Sequence, residues 1–186
     1  MHRLMLLAAT LAAALAGPAL AQQVLPAQSE ISFVSKQMGV PVEGKFKQWT
    51  AVISFDPKKP EAGKVGFTIQ TGSASFGSAE TDAEVPKAAW FNVAKFPQAS
   101  FQSSNIKALG GGKFEVRGAL LIKGDAHPVV VPVTVTQAGA ASTASGSFTI
   151  KRLDFKIGDG EWADTSMVAN DVTVKFKLSL SGMAPL

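Results

Sequence analysis

Apolar and polar residues alternate with period two along most of this chain. Ile31 and Phe33 carry the apolar face on odd positions, Val42, Gly44 and Phe46 on even ones, and Trp49, Ala51, Ile53 and Phe55 on odd ones again. The one-residue slip between Phe46 and Trp49 predicts a β-bulge in a long second strand, because a single extra residue swaps the faces. Val65, Phe67 and Ile69 mark a further strand, and another runs around Phe101. After Gly110-Gly111-Gly112 the pattern resumes with Phe114, Val116, Gly118, Leu120 and Ile122, then with Val129, Val131, Val133 and Val135. Gly146, Phe148 and Ile150 follow a small-residue loop from Ala138 to Ser145. The clearest alternation is the last, Val172 to Leu180, with Thr173, Lys175, Lys177 and Ser179 between.

Strands with one apolar and one wet face belong to antiparallel sheets. The only stretch suited to a helix lies between Ser78 and Asn92, too little to cover an apolar sheet face. The sheet must therefore close on itself or fold into a sandwich; the bulge and the in-register Gly44, Gly118 and Gly146 suit the sharp coiling of a small barrel. The expectation is an all-β fold, a barrel of about eight antiparallel strands with a short helical insert. Such a barrel either fills with its own side chains or holds one small ligand. The inward set alternates bulky groups (Phe33, Phe46, Trp49, Phe55, Phe67, Phe101) with small ones (Gly44, Ala51, Thr71, Gly118). Whether the glycines open a cavity or relieve crowding is left undecided by the pattern.

The first residues do not follow this pattern. Arg3, an apolar run from Leu4 to Ala16, Gly17-Pro18 and Ala19-Leu20-Ala21 form a bacterial-type secretory signal, with cleavage expected after Ala21. The run is too short to span a membrane. The expected domain is 22–186 and its expected location the periplasm. The chain has no cysteine, so no disulfide staples it and no lipid anchor follows the cleavage site. A formal charge of +4 on 186 residues is mild and unclustered, unlike a nucleic-acid binder.

Candidate chemistry is sparse. His127, within Gly124-Asp125-Ala126-His127-Pro128, reads as a hairpin-turn residue rather than a catalytic base. The single histidine of the expected mature chain cannot anchor a metal cluster. Asp154, Asp159, Glu161 and Asp164 gather among glycines in KRLDFKIGDGEWADTS and read as turn formers rather than a glycosidase pair. No catalytic residue, metal or cofactor is expected; the composition is that of a binder with an apolar interior. Arg152 shares the inward face of Phe148 and Ile150. A charge there needs a partner. An ion pair with Asp154, Asp82 or Glu84 is the favoured expectation, and a polar ligand head the other.

Four segments in order, SEISFVSKQMGVPVEGKF with ISFDPKKP, AAWFNVAKFPQASFQSSNI, GKFEVRGALLIKGDAHPVVVPVTV and KRLDFKIGDGEWADTSMVANDVTVKFKL, resemble the YceI-like, or polyisoprenoid-binding, periplasmic proteins. The resemblance spans Val24 to Leu180. The last segment looks most like the subgroup found alone or fused to membrane cytochromes of the b561 type. The resemblance implies a lipocalin-like barrel with a helical segment at its opening and a long isoprenoid or quinone-like lipid inside. It places Trp90 and Phe91 after the helical insert, capping and lining the tunnel. Many members carry Lys-His where this chain has Lys36-Gln37, and a basic-acidic-His run where it has AETDAEVPKAAWFN. The expected function is a lipid carrier or scavenger. The competing expectation is a packed barrel that partners another protein, for instance a membrane redox complex. A homodimer is left open by both.

Overall fold

The computed structural model describes residues 21–186. Its strands are β1 (Gln23–Val24), β2 (Glu30–Gln37), β3 (Val40–Phe46), β4 (Trp49–Ser54), β5 (Lys64–Gln70), β6 (Ala74–Ser75), β7 (Gln98–Gly110), β8 (Lys113–Ile122), β9 (Asp125–Ala138), β10 (Ala141–Lys151) and β11 (Asp171–Ser181), with one α-helix, α1 (Ala79–Glu84). All pairings are antiparallel, in the order β4-β5-β7-β8-β9-β10-β11-β2-β3-β6. The order begins on β4 and comes round to β3, and these two are consecutive in the chain, so the sheet curls back on itself. β1 stitches the closure: Gln23 and Val24 pair with Ser181 and Leu180 of β11, while Gln22 bridges to Ile53 of β4. The antiparallel barrel expected from the alternation is therefore observed. Its strand count is higher because the second stave is broken into β3 and β4 and two short stitches, β1 and β6, are added.

The parity slip at Phe46–Trp49 is not a bulge. The chain leaves the β2 pairing at Phe46, turns a corner at Lys47-Gln48 and pairs with β5 from Trp49 onward. Ser73 holds the corner: its carbonyl accepts from Lys47 N–H at 3.1 Å and its Oγ from Gln48 N–H at 3.0 Å. A true register shift lies in β7, between Ser103 and Asn105. It moves the buried face from Phe101 to Ile106. The loop expected over Ala138–Ser145 is also shorter than its composition suggests. Ala138 pairs with Ala141, and only Gly139 and Ala140 turn the hairpin.

The expected helix is short. Ser78 caps α1 by accepting from Thr81 N–H, and the helix stops before Pro86, which has no N–H to extend it. Turns carry the chain from there to Asn92. Asp82 ties α1 to β6: its carboxylate accepts from Phe76 N–H at 2.6 Å and from Ser75 Oγ–H at 2.9 Å. The Phe76 amide foremost holds that carboxyl below the usual aspartate range.

The inward faces meet in one large apolar cluster that includes Phe55, Phe101, Ile106, Phe114 and Leu178. A smaller one around Phe33, Ala74 and Val85 packs α1 onto the barrel opening.

Candidate functional site

The barrel is hollow. A cavity of about 190 Å³ runs down its axis, lined only by aliphatic, aromatic and methionine side chains. Among the sequence-predicted residues, Phe33, Phe46, Phe55, Phe67, Phe91 and Phe101 line it. Trp49 does not. It starts β4 at the corner and packs against Phe67 with ring centroids 6.3 Å apart. Phe55 meets Phe114 edge to face at 5.0 Å. Near the opening, Phe46 links Phe33, at 5.2 Å, to Phe91, at 6.0 Å.

Glycines in the wall decide where these rings lie. Gly44 pairs with Phe33 and Gly146 with Phe176, and in each case a Cβ on the glycine would overlap the partner's ring. Gly118 is covered in the same way by Phe101. The rings rest on bare backbone instead of standing against a neighbouring side chain, so the glycines relieve crowding and give the rings room to lie against the wall. The two sequence-level readings of these glycines thus meet in one arrangement.

A second space of about 660 Å³ forms the mouth. Phe33, Phe91, Ile150, Ile157 and Val172 line both it and the barrel cavity, so the two are continuous through that neck. Three pieces of chain build the mouth: the β2–β3 hairpin tip, the segment from α1 to Phe91, and the long loop 152–170. The loop is bound to the hairpin by Met38 N–H to Met167 O at 2.8 Å, Ala169 N–H to Lys36 O at 2.9 Å and a bridge between Gln37 and Val168. It is bound to the insert at the carbonyl of Ala89, which accepts from Gly158 N–H at 2.8 Å and Asp159 N–H at 3.0 Å. Lys123, buried at the β8–β9 turn, donates to Lys156 O at 2.6 Å and Ala89 O at 3.5 Å, with the Asp159 carboxylate 3.4 Å away.

Arg152 organises the loop from within. It is 2% exposed. Its inward placement agrees with the strand parity, but its partners are not the expected carboxylates. β10 ends at Lys151, and the loop wraps round the guanidinium so that five backbone carbonyls converge on it. Nε donates to Ala169 O at 3.1 Å, Nη1 to Ile157 O at 2.9 Å and Gly158 O at 2.6 Å, and Nη2 to Trp162 O and Val168 O, both at 2.7 Å. A guanidinium has five N–H donors, so every one is used. The carboxylates named for it are engaged elsewhere or exposed: Asp82 with Phe76 and Ser75, Glu84 with Lys87, and Asp154 on the surface. Burial moves the Arg152 pKa down, yet an arginine stays charged at neutral pH.

Trp90 lines the mouth but not the barrel cavity and packs on Trp162, with ring centroids 5.4 Å apart and planes tilted by 44°. Gly158 makes this possible, with a φ of +70°; a Cβ there would come within 2.7 Å of Arg152 Nη1 and 2.9 Å of the Trp90 ring. Sequence reasoning missed Trp162, whose neighbours in GDGEWADTS read as turn formers. The one signal was an aromatic residue within the polar and small-residue run from Gly158 to Ser166. It also missed Met38, Phe76 and Met167, all mouth residues whose positions depend on how loops meet. His127 lies in β9 and not in the turn, which is Lys123-Gly124. Its Nε2 lies 3.0 Å from Asp154 O and its ring packs on Phe155, a structural setting.

The chain matches the model of the YceI-like domain over residues 23–180. It is 32% identical over 131 residues to a UPF0312 protein of Pseudomonas syringae pv. tomato, covering 67% of this chain and 68% of that one. It is 40% identical over 88 residues to Protein YceI of Salmonella newport, 47% and 46% of the two chains. Among solved structures, Burkholderia cenocepacia BcnA superposes with a TM-score of 0.82 at 46% identity, covering 84% of this chain and 99% of BcnA. A polyisoprenoid-binding domain from Saccharophagus degradans has the same fold, with a TM-score of 0.71 at 19% identity over 89% of this chain and 99% of that domain. With its lipocalin-like barrel and a family model matched across nearly all the described residues, this chain belongs to the YceI-like family.

Proposed function

We propose that this protein is a periplasmic carrier or scavenger of a long apolar lipid, a polyisoprenoid or quinone-like molecule, which it holds in the barrel with its head in the mouth. The observation that carries the reading is the unbroken apolar path from the mouth through the Phe33–Phe91 neck into a lumen without a polar side chain. A chain threaded there leaves water entirely, at about 25 cal/mol per Å² of apolar surface removed, before ordering costs. The shared fold with a polyisoprenoid-binding domain supports the same ligand class. A hollow barrel counts against the packed interaction module, whose lumen would be filled by its own side chains. The reading needs no catalytic step. The periplasmic location rests on the secretory pattern of residues 1–21, of which 1–20 lie outside the described residues.

Native mass spectrometry of protein purified gently from its own host tests the proposal. The expected spectrum contains a co-purifying species of lipid mass that leaves on collisional activation. Clean apoprotein that also fails to take up added isoprenoids would overturn the carrier reading.

A further inference from the structure

The tip of the β2–β3 hairpin carries a residue that its backbone does not favour. Met38 and Gly39 form a two-residue turn with φ of +47° and +80°, both positive as a type I′ turn requires. The first of these positions favours Asn, Asp or Gly, and a long apolar side chain there is strained. The β8–β9 turn is built alike, with Lys123 at +52° before Gly124 at +86°. There the side chain explains the choice, because the buried ammonium donates to Lys156 O and Ala89 O. Met38 finds no comparable burial; it is 71% exposed. A strained residue that the fold itself does not use points to a use outside the fold.

Met38 does not stand alone. Its N–H is bonded to Met167 O, which sets a second exposed methionine beside it, and Val40, 63% exposed, follows on β3. The two methionines belong to the mouth lining, so this apolar edge is continuous with the way into the barrel. Val52, Leu109, Leu121 and Val130 are also exposed, but each lies on a different strand and none is another's register partner. Residues 36–41 are all exposed, and from Gln37 to Val42 the hairpin has no charge. Lys36 and Glu43 bound that stretch with opposite signs, and the mouth adds Glu80, Glu84 and Glu161 against Lys87 and Arg152, so the rim has no cationic excess.

Three residues on a projecting tip fall far short of the about 20–30 residues a side of a stable protein interface. They suit a shallow apolar anchor in a bilayer surface, where flexible methionines adapt to lipid. The cargo of the carrier reading dissolves in bilayers and must cross this edge to reach the Phe33–Phe91 neck. We infer that Met38, Val40 and Met167 form a membrane-docking prong that sets the barrel mouth against a bilayer for lipid transfer. The inference rests on the carrier reading and adds the surface with which the carrier exchanges cargo.

Vesicle flotation of the purified, lipid-free protein tests it, with vesicles of phosphatidylcholine alone and of phosphatidylcholine with phosphatidylglycerol. The protein should float with both, and added salt should change little, because the anchor is apolar. Met38→Asn should reduce flotation roughly fivefold through the lost apolar contact. Its melting temperature should hold or rise, since Asn-Gly suits this turn. Val40→Ser, outside the mouth lining, should reduce flotation and slow the uptake of geranylgeraniol from vesicles, while uptake from cyclodextrin stays unchanged. No flotation of the wild-type protein would overturn the docking surface, and uptake from cyclodextrin in that case would leave the carrier reading standing. Flotation only with phosphatidylglycerol, abolished by salt, would show attachment through lysines and overturn the apolar prong. Wild-type flotation in both variants would do the same. Flotation without uptake from either source would uphold the docking surface and bring down the carrier reading.

Discussion

The ring of Phe33 lies across Gly44, its register partner on β3, so closely that a Cβ on residue 44 would overlap the ring. Phe33 is also a neck residue, shared by the barrel cavity and the mouth. Gly44→Ala should therefore push the ring toward the path of the ligand. The expected outcome is a loss of about 1–3 kcal/mol of stability from overpacking, read by urea denaturation, together with weaker lipid uptake. Gly44→Ala with wild-type stability and uptake would mean the ring has room to move that the structure does not show.

Arg152 should be irreplaceable by another cation. A lysine ammonium has three donors and cannot serve five carbonyls spread over Ile157, Gly158, Trp162, Val168 and Ala169. Arg152→Met leaves all five without that donor and should cost roughly 3–5 kcal/mol, with Arg152→Lys somewhat less severe. The loss should appear in the absence of lipid. Because the loop forms one wall of the mouth, hydrogen exchange should rise first at Gly158 and Val168. Unchanged stability in Arg152→Met would refute the cage.

Filling the lumen should separate fold from function. Ala144 is buried on the inner face of β10 and lines the cavity. Ala144→Phe projects a ring into that space, and displacing two or more methylenes of ligand should reduce lipid affinity about tenfold or more. The fold should survive, since the ring enters empty volume. Native mass spectrometry and thermal melting of the same sample read both effects.

Acid should loosen the helix at the mouth. The folded-state pKa of Asp82 lies below its unfolded value because its carboxylate accepts from Phe76 N–H and Ser75 Oγ–H. Its contribution is present above the unfolded aspartate pKa and is lost as pH falls through the lowered folded value. Asp82→Asn keeps an acceptor but cannot titrate. The variant should start less stable at neutral pH, and the difference from wild type should shrink on acidification. A difference that stays constant down to pH about 2 would remove Asp82 from the acid response.

Export should leave Gln22 as the first residue of the mature protein. N-terminal sequencing of protein from the periplasmic fraction reads this directly; an intact Met1 there would contradict it. The position suits the fold, since the Gln22 side-chain carbonyl accepts from Phe55 N–H at 2.7 Å and its backbone bridges to Ile53.

Period-two alternation by itself determined the class of fold and the inward placement of Phe33, Phe101 and Arg152. Side-chain direction along a strand depends only on parity, and parity is written in the chain. Pairing partners are not. A slip of one residue between Phe46 and Trp49 is consistent with a bulge or with a corner, and the choice was made by β5 and β2 competing for the two halves of that stave. The partners of Arg152 were likewise out of reach, because backbone carbonyls leave no trace in residue identity. Only the closure of loop 152–170 brought five of them to one point. The hollowness of the barrel was decided at the same level. Gly44, Gly118 and Gly146 could have opened space or merely tolerated crowding, and the neighbouring rings lying down over them do both, a contact across paired strands that residue identity alone does not specify.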